Sequence, residues 1–83
     1  MELNLENINL YKSIMRAIIG AKKSQIIEFI INNLDDDKRF KYTIKELCDE
    51  LNISKPTAIE TINLLLEKRV LKKIKNGLYQ LNI

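Results

Sequence analysis

Thr43-Ile-Lys-Glu-Leu-Cys-Asp-Glu-Leu-Asn-Ile-Ser54 is the stretch on which the reading of the fold turns. Thr43 and Glu46 have the spacing of a capping box, in which each side chain satisfies a backbone N–H that the first turn of a helix leaves without a partner. Ile44, Leu47, Cys48 and Leu51 recur at helical spacing and give that helix one apolar stripe. Asn52 enters the left-handed region at lower cost than most residues, so it can end the helix. Ser54, followed by Lys55 and Pro56, has the form of an N-cap opening a second helix. Cys48, a small hydrophobe, falls where two helices would cross closely. The outline is that of a helix-turn-helix, and it points towards DNA.

Working outward, the second helix is expected from Lys55 to about Lys68. Ala58, Ile59, Ile62, Leu65 and Leu66 share one side of it and are expected in the core. Pro56, Thr57, Glu60, Asn63, Leu64 and Glu67 project from the other side. Val70 to Ile83 reads as a β-hairpin, because Asn76-Gly77 lies between two alternating segments and suits a type I′ turn. That turn sets Ile74 opposite Tyr79 and Lys73 opposite Gln80. It turns Val70, Ile74, Tyr79, Leu81 and Ile83 inward, makes Lys72 snorkel from the inner face, and leaves Lys73 and Lys75 in water.

Upstream, residues 7 to 19 form a helix whose apolar surface is wider than one docking contact requires. Gly20 interrupts it. A further helix runs from about Lys22 to Leu34, with Ile26, Ile27, Phe29, Ile30, Ile31 and Leu34 as core candidates, and Phe40-Lys41-Tyr42 forms a short strand. The expected fold is mainly α with a small β-sheet: a winged helix-turn-helix, in which a three-helix core carries a β-hairpin wing, with an extra N-terminal helix. Residues 1–21 form that amphipathic helix, with homodimerisation through Ile8, Tyr11, Met15 and Ile18 as one expected use, and residues 22–83 form the winged domain.

Length and composition bound the function. Eighty-three residues make one domain. Hydrophobic residues are 46% and charged residues 30%, the balance of a soluble globular chain. No apolar run is long enough for a membrane span or a signal peptide, so a cytoplasmic location is the default. With no histidine and one cysteine there is no zinc-finger spacing and no internal disulfide. No catalytic constellation or phosphate-cradling glycine loop can be assembled, so no enzyme activity, cofactor, metal or small-molecule ligand is expected. Net charge is only +3, but it is unevenly placed. Lys55, Lys68, Arg69, Lys72, Lys73 and Lys75 lie in the C-terminal part, and no acid follows Glu67.

The expected partner is double-stranded DNA. Ser54, Lys55, Pro56 and Thr57 open a helix whose N-terminus favours phosphate. Thr57, Glu60, Thr61 and Asn63 are the candidate readers of base edges in the major groove, and Lys73, Lys75 and Asn76 lie in the wing. A winged helix can also dock onto another protein, and that is the competing reading.

From Thr43 to Lys73 the chain resembles the winged helix-turn-helix of bacterial regulators. Ile19-Gly20-Ala21-Lys22-Lys23, Ile44-Lys45-Glu46-Leu47 and Leu78-Tyr79-Gln80-Leu81-Asn82 together resemble the RepL-type plasmid replication initiators of Gram-positive bacteria. That resemblance implies binding at a plasmid origin and recruitment of host replication proteins, whereas the broader one implies a transcriptional regulator. Arg69 and Asn52 stand where such domains often carry glycine, and Ala58 stands for the usual valine. Family members continue beyond the position of Ile83, so the chain is expected to be a fragment or a reduced relative.

Overall fold

A computed structural model describes residues 5–83; the first four residues of the expected N-terminal segment lie outside that range. In chain order the elements are α1 (Leu5–Ile19), α2 (Ala21–Asn32), β1 (Arg39–Phe40), α3 (Ile44–Leu51), α4 (Lys55–Glu67), β2 (Leu71–Lys75) and β3 (Leu78–Leu81). The three strands form one antiparallel sheet in the order β1-β3-β2. The order and pairing are those of a winged helix-turn-helix preceded by an extra helix. Among the described residues, no helix is long and apolar enough to cross a membrane.

Local chemistry places the helix ends. Thr43 Oγ1 accepts from the Glu46 N–H at 3.1 Å and Glu46 Oε1 accepts from the Thr43 N–H at 3.0 Å, closing the capping box. Asn52 ends α3 at φ 53° and ψ 51°, and Ser54 caps α4 through the Thr57 N–H. Gly20 adopts φ 94°, a conformation that strains residues with a β-carbon, and its N–H bonds back to the Arg16 carbonyl at 2.9 Å. It therefore separates α1 from α2 without a loop.

The core is shared by all the remaining elements. Ile26 and Ile30 of α2, Phe40 of β1, Leu47 of α3, Ala58, Ile62 and Leu65 of α4, Leu71 of β2 and Tyr79 of β3 form one buried cluster. Helix α4 packs on α2, α3 and β2, whereas α1 packs on α2. Phe40 stacks on Tyr42 with ring centroids 4.8 Å apart, and Phe29 meets both rings edge-on.

Several sequence expectations shift. The first strand is Arg39–Phe40 rather than Phe40 to Tyr42, because Phe40 pairs with Tyr79 and Arg39 with Gln80. Helix α2 ends at Asn32, before Leu34, and Ile31 points outward at 60% exposure. The hairpin is not a type I′ turn, since only Gly77 of the central pair has positive φ. Its register slips by one. Lys73, not Ile74, lies opposite Tyr79, Lys72 lies opposite Gln80, and an extra residue bulges from β2 between Lys73 and Lys75. Leu71 therefore takes the buried place, while Ile74 and Ile83 are exposed and Val70 and Leu81 are half-buried.

Candidate nucleic-acid interface

Helix α4 presents its outward residues from a rigid base. The Ser54 hydroxyl caps its first turn and lies 2.8 Å from the Thr57 hydroxyl. Lys55 and Pro56 follow on that turn and are exposed. Proline is tolerated there because the first-turn N–H groups have no intrahelical acceptor to lose. Ala58, Thr61, Ile62 and Leu65 form the buried stripe, so the opposite stripe of Pro56, Ile59, Glu60, Asn63 and Glu67 faces solvent.

Two assignments made from the helical wheel exchange places. Thr61, a candidate base reader, is completely buried, and its hydroxyl donates to the Thr57 carbonyl at 2.8 Å. It cannot reach a base. Ile59, expected in the core, stands on the outward face at 37% exposure. Both residues lie at the margin of the apolar arc, and the inner site goes to the smaller side chain, whose hydroxyl has an acceptor one turn back.

The other expected residues remain accessible, with differing ties. Glu60 lies 3.7 Å from Lys23 of α2, an exposed pair with little energetic weight that still draws the carboxylate towards α2. Thr57 is half-buried and tied to Ser54. Asn63 is exposed on the outward stripe, and Lys73, Lys75 and Asn76 are exposed on the hairpin.

Folding brings the wing tip to the starts of both helices of the motif. An open depression of about 420 Å³ is lined by Thr43, Ile44, Lys45 and Cys48 of the α3 region, Lys55 of α4 and Asn76 of the turn. Two lysines line it, and among the described residues no carboxylate does. The nearby Glu46 carboxylate is committed to the Thr43 N–H, and that bond holds it below the ordinary carboxylate value. Sequence pattern alone does not single out Lys45, because within α3 it is one more exposed cation. Only the packing of α3 against α4 sets it around the same hollow as Lys55. Cys48, expected as a buried hydrophobe, is half-buried and lines this hollow. Two parts of the surface thus adjoin: the α4 stripe with shape and hydrogen-bonding groups, and a cationic hollow set by Lys45 and Lys55 with Asn76 of the wing tip.

One family model matches residues 2–83 of the chain, that of the Firmicute plasmid replication protein (RepL). No curated protein and no solved structure matches it.

Proposed function

The chain belongs to the Firmicute plasmid replication protein (RepL) family, and on that premise we propose that it serves plasmid replication by binding double-stranded DNA at the origin through α4 and the β2–β3 wing. The observation that carries this reading is the convergence of Lys45, Lys55 and Asn76 around one carboxylate-free depression beside the exposed stripe of α4. Lysines at that flank neutralise phosphates, and the helix N-terminus adds its partial positive charge. The stripe then enters the major groove. Asn63 has the donor and acceptor pair that adenine presents in reverse, and Ile59 offers an apolar contact for a thymine methyl. Glu60 accepts from a cytosine amino group when it is released from Lys23.

The phosphate contacts hold the domain in register and the α4 stripe supplies sequence preference. Lys73 and Lys75 extend the grip along the backbone, and Ser54, Pro56 and Thr57 shape the approach to α4.

The direct test is duplex binding measured by fluorescence anisotropy over a range of salt, with the preferred site obtained by selection from random DNA. With about four phosphates neutralised per copy, log affinity falls against log salt with a slope near −3.6. The selected sequence is expected to recur at the plasmid origin. No duplex binding at low salt would falsify the proposal, and a selected site confined to promoters would convert it to transcriptional regulation.

A further inference from the structure

Helix α1 spends only part of its apolar surface on the domain that carries it. Its contact with α2 includes the Lys12–Glu28 pair at 3.3 Å and the crevice between Ile8 and Met15 on one helix and Ile27 on the other. Beyond that contact, Leu10, Tyr11, Ile14 and Ile18 are 60%, 62%, 49% and 72% exposed. Their spacing puts them on one continuous flank of α1, and Tyr11 and the exposed Ile31 of α2 line the same crevice. This set differs from the one expected from sequence, in which Met15 and Ile8 took the places of Leu10 and Ile14; Met15 is half-buried.

We propose that this face binds a second copy of the chain, with the two α1 helices antiparallel about a two-fold axis. The face leaves on the order of 500 Å² of apolar side chain in water, at the upper end of what monomeric proteins show. Two such faces bury about 1,000 Å² together, the size at which specific dimers begin.

Area and the helix dipole select the occupant. Arg16 lies on the polar side of α1, turned away from the Leu10, Tyr11, Ile14 and Ile18 flank, so the seam is apolar. An antiparallel copy opposes the two helix dipoles, whereas a parallel copy would set like ends together. The polar side of α1 mixes Glu6, Asn9 and Ser13 with its cations, unlike the uniformly basic face of a helix that lies on lipid. The dimer stands independently of the DNA reading. With it, two α4 stripes related by a two-fold axis would read an inverted repeat.

Sedimentation equilibrium of the full chain without DNA tests this. A monomer–dimer equilibrium in the micromolar range is expected, with Ile14→Glu raising the dissociation constant roughly 100-fold while leaving the helical circular dichroism unchanged. Leu10→Gln, a milder change at another exposed position, raises it by about tenfold. A monomer at high concentration, or a dimer indifferent to Ile14→Glu and Leu10→Gln, overturns the proposal. So does the finding that the wild-type chain adsorbs to lipid vesicles instead of dimerising.

Discussion

Gly77 turns the β2–β3 hairpin directly against Thr43: with φ at +77°, a β-carbon on Gly77 would stand 2.9 Å from Thr43 Cγ2. One contact therefore joins the wing tip to the residue that caps α3. Gly77→Ala is expected to cost about 1–3 kcal/mol, from positive-φ strain and the overlap with the threonine methyl. The two contributions separate in a double-mutant cycle. Thr43→Ser keeps the capping oxygen and removes the methyl, so the double variant should be more stable than the two separate losses add up to. Urea denaturation of the four proteins gives the coupling. Strict additivity would leave backbone strain as the whole effect.

Arg69 also occupies the left-handed region, at φ 61°, where the loop passes from α4 to the wing. Its carbonyl accepts from Asn82 Nδ2 at 3.2 Å, so the conformation is held by the far end of the hairpin. Arg69→Gly should relieve the strain and raise the unfolding free energy by up to about 1 kcal/mol, reduced by the greater freedom of glycine in the unfolded chain. A fall in the denaturation midpoint would show that the arginine side chain contributes more than its backbone costs.

What could be read from sequence divides along the range of the interactions. Thr43 with Glu46, Ser54 with Thr57 and the left-handed Asn52 are settled within four residues of chain, and each lies where the sequence places it. The hairpin register is decided at longer range. Asn76-Gly77 satisfies the local pattern of a type I′ turn, yet packing buries Leu71 beside Tyr79 and brings Gly77 onto Thr43, and the surplus residue leaves the ladder near Ile74. The candidate site shows the same division. The α4 stripe can be drawn from helical periodicity apart from the Ile59 and Thr61 exchange, whereas Lys45 joins Lys55 only through the crossing of two helices.

That exchange separates stability from readout. Thr61→Val keeps the side-chain shape and loses the bond to the Thr57 carbonyl, so stability should change by no more than about 1 kcal/mol, with DNA sequence preference unaltered. Asn63→Ala and Ile59→Ala should leave stability near that of the wild type and alter the sequences recovered by selection. Loss of preference in Thr61→Val alone would mean that the buried threonine positions α4 for readout.

Lys45 and Lys55 are expected to act through charge alone. Replacing either with Gln should weaken binding to all duplexes alike and make the salt slope shallower by about 0.9, with Lys73→Gln and Lys75→Gln behaving in the same way. Anisotropy titrations at several salt concentrations give the slopes. A change in sequence preference without a change in slope would place the lysine at a base edge instead.

Acid should loosen the start of α3 before it unfolds the core. The Glu46 carboxylate accepts from the Thr43 N–H, and this bond lowers its affinity for protons below the ordinary value of 4.5. The folded chain then holds fewer protons than the unfolded chain near that pH. The contribution is complete above about pH 4.5 and is lost as pH falls through the lower folded value. Asp35 adds a contribution that is complete above its ordinary value of about 3.8 and lost at lower pH, because its Oδ1 accepts from the Arg39 and Asp37 N–H groups at 2.9 Å. Glu46→Gln retains a capping-box acceptor without a titrating group. Its melting temperature should start lower at neutral pH and fall less steeply below pH 4.5 than that of the wild type, whereas parallel curves would remove Glu46 from the acid response.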